Sequence, residues 1–393
     1  MLKNNLEIGS VIHSFRPEGA TRVWVEAHVG LNGLPKTSVA SFAMHSTVER
    51  DGGVTPIDDN QYYSQFCGAD IEVELLDRID GSDQLAAPYT DEEIGRLSNF
   101  VEGRTVLTAL EPNSLGAFSH LDPSKAPGLL LNTYRTADNR SDDELSAIRN
   151  GLSSGLVAMV TVDSDTAHRT YVEAGFSKDD IRVIYNGTDL EKFHYSEDRR
   201  SAMRRSLGIE DEAPVVMTVS RFSDEKDVPL FLDSARNYLH LDDEAHVVIV
   251  GAGLNADENP EFGELVREKF EDVSTAVLAR LHGVGSTPNI EGYYPGADVI
   301  VGTPKADSRP LYIGEAFASG IPIAASTDVG DTAQMIGDNG IITSRDPEEI
   351  AEAWVEVYQH RGEIGFDYNN RDRLGPEPMV RAYRDAVLNV ANV

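Results

Sequence analysis

Two short apolar runs in the second half of the chain each lead through a polar loop into a segment with helical spacing. The first run, Val215–Val219, is uninterrupted and rich in valine, which is typical of a parallel strand buried on both faces. Apolar residues then recur at helical intervals from Leu230 to Leu239. This order predicts an α/β fold with a parallel sheet, whose ligands bind at the carboxyl edge of the strands.

The loop after the first run contains two cations, Arg221 and Lys226, five residues apart. A guanidinium donates forked hydrogen bonds and an ammonium is a mobile point charge, so the pair suits a diphosphate. The alternative is two solvated cations paired with the neighbouring acids, Asp224, Glu225 and Asp227. The spacing alone leaves both interpretations open.

The second run predicts a strand over 298–301, a loop, a helix from about 311 to 319 and a further strand over 321–325. Pro310 suits a first helical turn and Gly320 suits a helix end. A helix start favours a phosphate because its N–H groups are unpaired and carry partial positive charge. Asp307 in the loop could reach sugar hydroxyls, and Glu315, one turn into the helix, could reach a ribose diol. Most acidic pairs at this spacing arise by chance, but the position of this pair favours binding.

Four segments between about 162 and 342 resemble, in sequence order, the retaining GT-B glycosyltransferases of family 4, also called glycosyl transferases group 1. The first resembles the I-x-N-G-x-D-x-x-x-F turn, with Ile184, Asn186, Gly187, Asp189 and Phe193. The others are VVMTVSRFSDEKDV, HVVIVGAG and GADVIVGTPKADSRPLYIGEAFASGIPIAAS. The last resembles the family's E-x7-E signature.

The resemblance implies a GT-B fold of the α/β class, with two Rossmann-like, doubly wound parallel-sheet domains facing a cleft. We expect an acceptor-side domain over 1–195 and a domain over 196–375 that binds the nucleotide sugar. The helix at 376–393 resembles the one that crosses back onto the first domain in this family.

The resemblance also assigns roles to matching residues. Arg221 and Lys226 match the pair that neutralises the leaving diphosphate, Glu315 the acid that holds the ribose, and Asp307 the acid that contacts the donor sugar. The expected donor-binding residues are Gly19, Ala20, Arg221, Lys226, His282, Val284, Asp307, Arg309, Leu311, Tyr312 and Glu315.

This chain departs from the family pattern around Asp307. The family usually has Glu there, followed by Gly-aromatic-Gly where this chain has Ser308, Arg309 and Pro310. Proline has no N–H, so one expected backbone donor is missing. Arg309 either supplies a charge in its place or points to solvent. These changes affect the identity of the sugar more than the binding of a diphosphate.

The N-terminal half begins with a predicted strand ending near Phe15, a helix and a strand from about Thr37. Its loop resembles the family's G-G-x-x-R motif, with Gly19, Ala20 and Arg22. Where the family shows histidines facing the acceptor, this chain has other side chains. The acceptor-side candidates are Glu111, Asn113 and Tyr134.

The resemblance implies a retaining, hexosyltransferase-like enzyme that needs no metal or other cofactor, with the leaving phosphate assisting front-face attack by an unidentified acceptor hydroxyl. One alternative is a GT-B nucleotide-sugar epimerase, for which Glu111 is the one acid/base candidate. The other is a noncatalytic partner subunit, which the altered residues after Asp307 keep open.

The chain has 393 residues and a net charge of −32, from 66 acids against 8 lysines and 26 arginines. This charge disfavours nucleic-acid and anionic-lipid acceptors, because binding polyanions needs clustered cations. It suits a protein kept soluble in concentrated salt, although a GC-rich genome would also favour arginine over lysine. The single cysteine, Cys67, allows no internal disulfide. Short apolar runs and a start unlike a signal peptide predict a cytoplasmic protein. The oligomeric state stays open.

Overall fold

The computed structural model of the protein describes residues 5–16, 18–50, 53–80, 88–121, 126–325, 329–364 and 373–391. The chain groups into two compact units. Unit 1 comprises Met1–Gly187 together with Pro376–Val393, and unit 2 comprises Thr188–Gly375.

Unit 1 alternates strands and helices. Its strands are β1 (Leu6–Ile12), β2 (Thr37–Ala43), β3 (Thr47–Arg50), β4 (Gly53–Pro56), β5 (Glu72–Leu75), β6 (Ile79–Asp80), β7 (Val106–Leu110), β8 (Leu129–Thr133), β9 (Val157–Val162) and β10 (Ile181–Val183). Its helices up to this point are α1 (Gly19–Asn32), α2 (Gln61–Gly68), α3 (Asp91–Val101), α4 (Leu115–Phe118), α5 (Asp142–Ser153) and α6 (Asp165–Glu173). Seven strands form one sheet in the order β10-β9-β8-β7-β1-β2-β5, with parallel pairing throughout.

Unit 2 repeats the alternation. Its strands are β11 (Val215–Val219), β12 (His246–Val250), β13 (Leu281–Gly285), β14 (Val299–Gly302), β15 (Ile323–Ala325) and β16 (Gly340–Ile342). Its helices are α7 (Glu197–Leu207), α8 (Val228–Leu241), α9 (Pro260–Lys269), α10 (Thr275–Leu278), α11 (Leu311–Ala318), α12 (Thr332–Ile336) and α13 (Pro347–Gln359). The last helix, α14 (Pro376–Val390), belongs to unit 1.

The parallel sheet of unit 2 has the strand order β13-β12-β11-β14-β15-β16. Numbered from its first strand this is 3-2-1-4-5-6, the doubly wound order in which ligands bind where the winding reverses. That switch point lies between β11 and β14. The loops that follow these two strands are therefore neighbours at the carboxyl edge of the sheet.

The unbroken apolar strands of unit 2 arise because both faces of its sheet are covered. Met217 and Ile300 belong to one buried cluster, whereas Val216 and Val299 belong to the other. Alternate side chains thus enter opposite cores. Because both faces of the sheet are buried, its strands do not alternate between apolar and polar residues. The buried strand predicted over Val215–Val219 is confirmed at both ends.

The first residues of unit 2 form a turn that leads into its core. The Asp189 carboxylate accepts hydrogen bonds from the backbone N–H groups of Glu191 and Lys192, at 3.0 and 2.9 Å. The turn carries Phe193 into the core, where it is 1% exposed. The N–H of Thr188 also donates to the carbonyl of Leu374, at 2.6 Å, so the first and last stretches of unit 2 lie side by side.

Helix α14 packs on α1 and β8 within unit 1. Met379, Val380, Tyr383, Ala386, Val387 and Val390 are its buried residues. The predicted apolar face is therefore confirmed, and it covers part of the seven-stranded sheet. The hydroxyl groups of Tyr383 and Tyr134 lie 3.1 Å apart in this interface.

Several predicted boundaries were wrong by a few residues. β1 ends at Ile12 and not near Phe15, β14 begins at Val299, and β15 begins only at Ile323. Helix α8 begins at Val228, two residues before the helical spacing that starts at Leu230, because Pro229 fits the first turn. No helix in the described ranges is long and apolar enough to cross a membrane.

His28 of α1 is fully buried and predicts acid sensitivity of unit 1. Its Nδ1–H donates to the Trp24 carbonyl at 2.7 Å, and its Nε2 lies 2.9 Å from the Thr108 hydroxyl. Burial lowers the pKa of His28 from 6.5 to about 4. The unfolded chain therefore binds the extra proton between these values. Stability from this residue is complete above about pH 6.5 and falls as the pH drops towards 4.

We expect the free energy of unfolding to lose about 2 kcal/mol through His28 between pH 7.5 and pH 5.0. Urea unfolding of the protein and of His28→Gln at both pH values measures this difference, because glutamine does not titrate. His240→Gln, at an exposed histidine of α8, is the control. Equal pH dependence in the protein and in His28→Gln would show that another group causes the acid sensitivity.

Candidate active site

The loops after β11 and β14 are joined by backbone and side-chain contacts. The N–H of Lys305 donates to the carbonyl of Glu225 at 2.8 Å. The Lys226 ammonium then contacts the Asp307 carboxylate, at 2.5 Å between Nζ and Oδ2. Both of these side chains are mostly buried, with 23% and 17% of their surfaces exposed. The structure thus brings one of the two predicted cations against the first predicted acid.

Arg221, the other predicted cation, lies in the same loop but has a different partner. Its guanidinium contacts the Glu225 carboxylate at 2.6 Å, and the two side chains are 36% and 46% exposed. An exposed pair of this kind contributes little to stability. Arg221 can therefore exchange Glu225 for another anion at low cost.

Asp227 ends this loop in a backbone conformation that favours glycine. Its φ and ψ are 46° and 55°, in the left-handed region, and it forms the N-cap of α8. Its carboxylate pairs with Arg345, and Lys305 lies 4.0 Å away. These two cations offset the cost of the left-handed conformation, which for a non-glycine residue is about 1–2 kcal/mol.

The loop that carries Asp307 rests on the segment before α12. A Cβ placed on Gly330 would lie 2.4 Å from the Asp307 carbonyl oxygen and 2.1 Å from that of Ser308. The N–H of Asp331 donates to the same Ser308 oxygen at 2.9 Å. The position of Asp307 therefore depends on a close backbone approach that only glycine permits.

Arg309 turns towards the protein and not towards solvent. Its Nη1 lies 3.2 Å from the carboxylate of Asp331, which is 3% exposed, and its own side chain is 17% exposed. A buried acid next to α12 thus holds this guanidinium at the edge of the loop. The sequence pattern contained no signal for Asp331.

Glu315, the second predicted acid, lies inside α11 and is 3% exposed. The hydroxyl of Tyr294 donates to its Oε2. Leu311 begins the helix directly after Pro310. Tyr294 is a further residue that the sequence analysis missed, since it precedes β14 outside any recognised motif.

Tyr312 lies beneath Lys226, on the inner side of the loops. Its side chain lines a cavity of about 20 Å³ together with Lys226, Ser220 and Thr303. This volume accommodates about one water molecule. Burial raises the pKa of the Tyr312 hydroxyl, and the Asp307 charge adds to the shift, so the hydroxyl stays protonated at neutral pH.

His282 and Val284 lie on β13 at one edge of the sheet. The Nε2 of His282 is 2.9 Å from the Nδ1 of His246, and the two rings stack with centroids 5.2 Å apart. Burial, followed by the effect of His282, lowers the pKa of His246 to about 4. Val284 packs partly buried against the core that contains Met217. His282 is thus engaged with the amino end of β12.

In unit 1, Gly19 and Ala20 form the first turn of α1 and not the preceding loop in which the sequence pattern placed them. Arg22 follows two positions after Ala20 and lies 3.9 Å from Glu26. The start of α1 therefore follows the carboxyl end of β1, beside the switch point of the seven-stranded sheet.

Glu111 is held by partners within unit 1. It has a left-handed φ of 61°, and its Oε2 lies 2.5 Å from the guanidinium of Arg140, whose side chain is 1% exposed. The N–H of Tyr134 donates to its other oxygen at 2.9 Å. The Tyr134 hydroxyl in turn lies against Tyr383, whereas Asn113 is exposed.

Two histidines that the sequence analysis did not select follow β1 and β2. The rings of His13 and His45 have centroids 4.3 Å apart, and the Nδ1–H of His45 donates to the His13 carbonyl at 2.9 Å. Parallel pairing of β1 with β2 brings them together at the carboxyl edge. Their 32-residue separation offered no local signal.

Asp163-Ser164-Asp165 is a helix cap. The Ser164 hydroxyl accepts a hydrogen bond from the N–H of Ala167 at 2.9 Å, and Asp165 begins α6. Ser164 is therefore the N-cap residue of α6.

A family model described as glycosyl transferases group 1 matches residues 213–360. The matched residues lie within unit 2, which therefore resembles the group 1 glycosyltransferases. A D-inositol 3-phosphate glycosyltransferase of Geodermatophilus obscurus is 29% identical over 213 residues, which cover 52% of this chain and 46% of that protein. An alpha-monoglucosyldiacylglycerol synthase of Streptococcus pneumoniae is 26% identical over 147 residues, or 37% of this chain and 32% of that protein. The chain thus spans about a third to a half of the length of these curated relatives.

Solved structures resemble the chain over nearly its whole length. Anabaena Alr3699/HepE in complex with UDP-glucose has a TM-score of 0.76 at 16% identity, covering 99% of this chain and 100% of that one. Sucrose-phosphate synthase from Thermosynechococcus elongatus has a TM-score of 0.73 at 16% identity, covering 98% and 100%. These likenesses confirm the predicted GT-B fold.

The Gly330 contact predicts a specific loss of function. Gly330→Ala would push the Asp307 loop outwards, since its Cβ would lie within 2.4 Å of two carbonyl oxygens. Gly208→Ala is the matched control, because Gly208 also has a left-handed φ, 68°, but no atom lies within 4 Å of its added Cβ. We expect both variants to lose about 1–2 kcal/mol of stability from the backbone.

Only Gly330→Ala should also weaken nucleoside diphosphate binding, by about tenfold, in titration calorimetry. Equal binding by the two variants would show that the loop tolerates the displacement.

Proposed function

We propose that the protein is a retaining glycosyltransferase that moves a sugar from a nucleotide-diphosphate sugar to an acceptor hydroxyl. The single observation that carries the proposal is the contact between Lys226 and Asp307 at the switch point of unit 2. In this proposal Lys226 is the cation for the phosphates and Asp307 is the acid for the sugar, and they meet where doubly wound sheets bind nucleotides. The solved complex of Anabaena Alr3699/HepE with UDP-glucose supports a donor of this class.

In this proposal the donor diphosphate contacts Arg221, Lys226 and the start of α11. Cleavage of the sugar–phosphate bond leaves the electron pair on the phosphate oxygen, so negative charge grows there. Fixed cations stabilise that charge without reorganisation, which is why the reaction needs no metal in this mechanism. The acceptor hydroxyl attacks from the face that the phosphate leaves and gives its proton to a phosphate oxygen.

Asp307 holds the donor sugar, and its shorter side chain reaches less far than the glutamate usual at this position. The pairing of Asp307 with Lys226 holds both side chains in fixed positions beside the bond that breaks. Arg309, held by Asp331, supplies a further positive charge where Pro310 provides no N–H.

An epimerase is a weaker candidate. It would have to move a proton at the donor carbon, and Glu111 was the one group proposed for that step. Its carboxylate is paired with Arg140 and accepts a hydrogen bond from the N–H of Tyr134. These contacts give Glu111 a structural role within unit 1.

The deciding experiment measures nucleoside diphosphate release from UDP-, GDP- and ADP-sugars in the presence of EDTA, at low and at molar KCl. We expect release from one donor class. In the double variant Arg221→Ala/Lys226→Ala the rate should fall by at least about a hundredfold, because the charge on the leaving phosphate loses its stabilisation.

Titration calorimetry with the same nucleotides separates the remaining outcomes. Donor binding without release of nucleoside diphosphate would contradict the transferase. Release of an isomerised sugar in place of the nucleoside diphosphate would also contradict it. Absence of both binding and release would favour a noncatalytic partner subunit.

We expect removal of the Glu225 charge to make the protein bind nucleotide more tightly. In the unliganded protein its carboxylate occupies Arg221, and a diphosphate must displace it. Glu225→Gln should lower the Kd of the nucleoside diphosphate by about three- to tenfold, because removing one charge frees the guanidinium.

Glu268→Gln, which removes an exposed charge from α9, is the matched control for the net charge. The difference between the two variants should shrink in molar KCl, since salt screens an exposed pair. Equal gains from both variants would assign the effect to the overall charge of −32.

A further inference from the structure

The carboxylate of Glu315 is buried and receives a hydrogen bond from one particular phenol. Tyr294, whose hydroxyl donates to it, is itself 0% exposed. A buried carboxylate is costly unless polar partners satisfy it, and such partners also determine its direction. The orientation of Glu315 therefore depends on where the ring of Tyr294 lies.

The ring of Tyr294 is located by Phe193. The two rings meet edge to face, with centroids 5.5 Å apart and planes at 88°. Phe193 is the end of the turn that Asp189 stabilises at the beginning of unit 2. A packed contact thus connects the segment at 188–193, here called the linking segment, to Tyr294.

The linking segment makes a second contact, with helix α11 itself. A Cβ placed on Gly314 would lie 2.5 Å from the Oγ1 of Thr188. Gly314 directly precedes Glu315 in this helix. Glycine in a helix interior costs about 0.5–1 kcal/mol relative to alanine, and the close approach of Thr188 leaves no room here for an alanine Cβ.

We infer that Tyr294 is a positioning residue for Glu315, and that the linking segment sets the position of both through Phe193 and Thr188. This inference rests on the proposed function, in which Glu315 binds the ribose diol of the donor. The inference adds that the affinity for the ribose diol depends on the conformation of the linking segment, where unit 2 begins.

The first test compares ribose recognition in two neighbouring tyrosine variants. Tyr294→Phe removes the hydrogen bond to Glu315, whereas Tyr293→Phe removes a hydroxyl from a partly buried tyrosine next to it. Titration calorimetry with UDP, GDP and ADP and with their 2′,3′-dideoxy forms measures the preference for the diol. We expect Tyr294→Phe to lower this preference about tenfold and to leave dideoxy binding unchanged, with no change in Tyr293→Phe.

The outcomes separate the inference from the proposed function. A protein that binds none of these nucleotides, or that binds both forms equally, overturns the ribose role of Glu315 and the inference with it. A protein that prefers the diol, with the full preference kept in Tyr294→Phe, overturns the inference alone. A loss of binding for both nucleotide forms in Tyr294→Phe would show general damage to the site and would also count against it.

The second test uses compensation across the contact between Thr188 and Gly314. Gly314→Ala should reduce the preference for the diol severalfold, because its Cβ pushes Thr188 away from α11. Thr188→Ala removes Oγ1 and leaves the next atom, Cβ, at 3.8 Å, an ordinary contact. The double variant should regain the preference and exceed the single variant Gly314→Ala in melting temperature. Equal loss in the single and double variants would overturn the role of the linking segment.

Discussion

The carboxylate of Asp298 lies where both central strands of unit 2 begin, and the arrangement of the site depends on it. It accepts the N–H of Val215 at 2.9 Å, while the N–H of Asp298 donates to the Val215 carbonyl at 2.8 Å. Arg204, which is 0% exposed, contacts the same carboxylate at 2.7 Å and donates to four carbonyl groups. A shift in the pairing of the two strands would break this buried ion pair and its hydrogen bonds. An unpaired buried charge costs about 3–5 kcal/mol, so the pairing is fixed.

The pairing fixed at the amino ends of β11 and β14 also sets where the loops at their carboxyl ends begin. Each strand is four or five residues long, so its loop begins at a defined height above the sheet. Lys226 and Asp307 meet there although 81 residues separate them. In the same loop Glu225 holds the exposed guanidinium of Arg221, from which a more highly charged anion can displace it.

The predictions from sequence succeeded where the signal was local. The valine-rich run Val215–Val219, the helix after it and the apolar face of α14 follow from periodicity, and the structure contains all three. Arg221 and Lys226 share the loop between β11 and α8, as their spacing requires, and their role in binding a diphosphate stays a prediction. The misplaced strand starts have a common cause: strands end where hydrogen bonding to a neighbour ends, and the partner strand is not part of the local pattern.

The sequence alone determined the alternation of strands and helices, the residue types at each loop and, through its motifs, the resemblance to the group 1 glycosyltransferases. Only the tertiary structure decided which charges meet. Asp307 faces Lys226, Arg309 faces Asp331, and Glu315 receives the hydroxyl of Tyr294. These pairs span between 21 and 81 residues of sequence. Their geometry comes from parallel strand pairing and close backbone packing, which depend on the whole sheet and leave no pattern in any one segment.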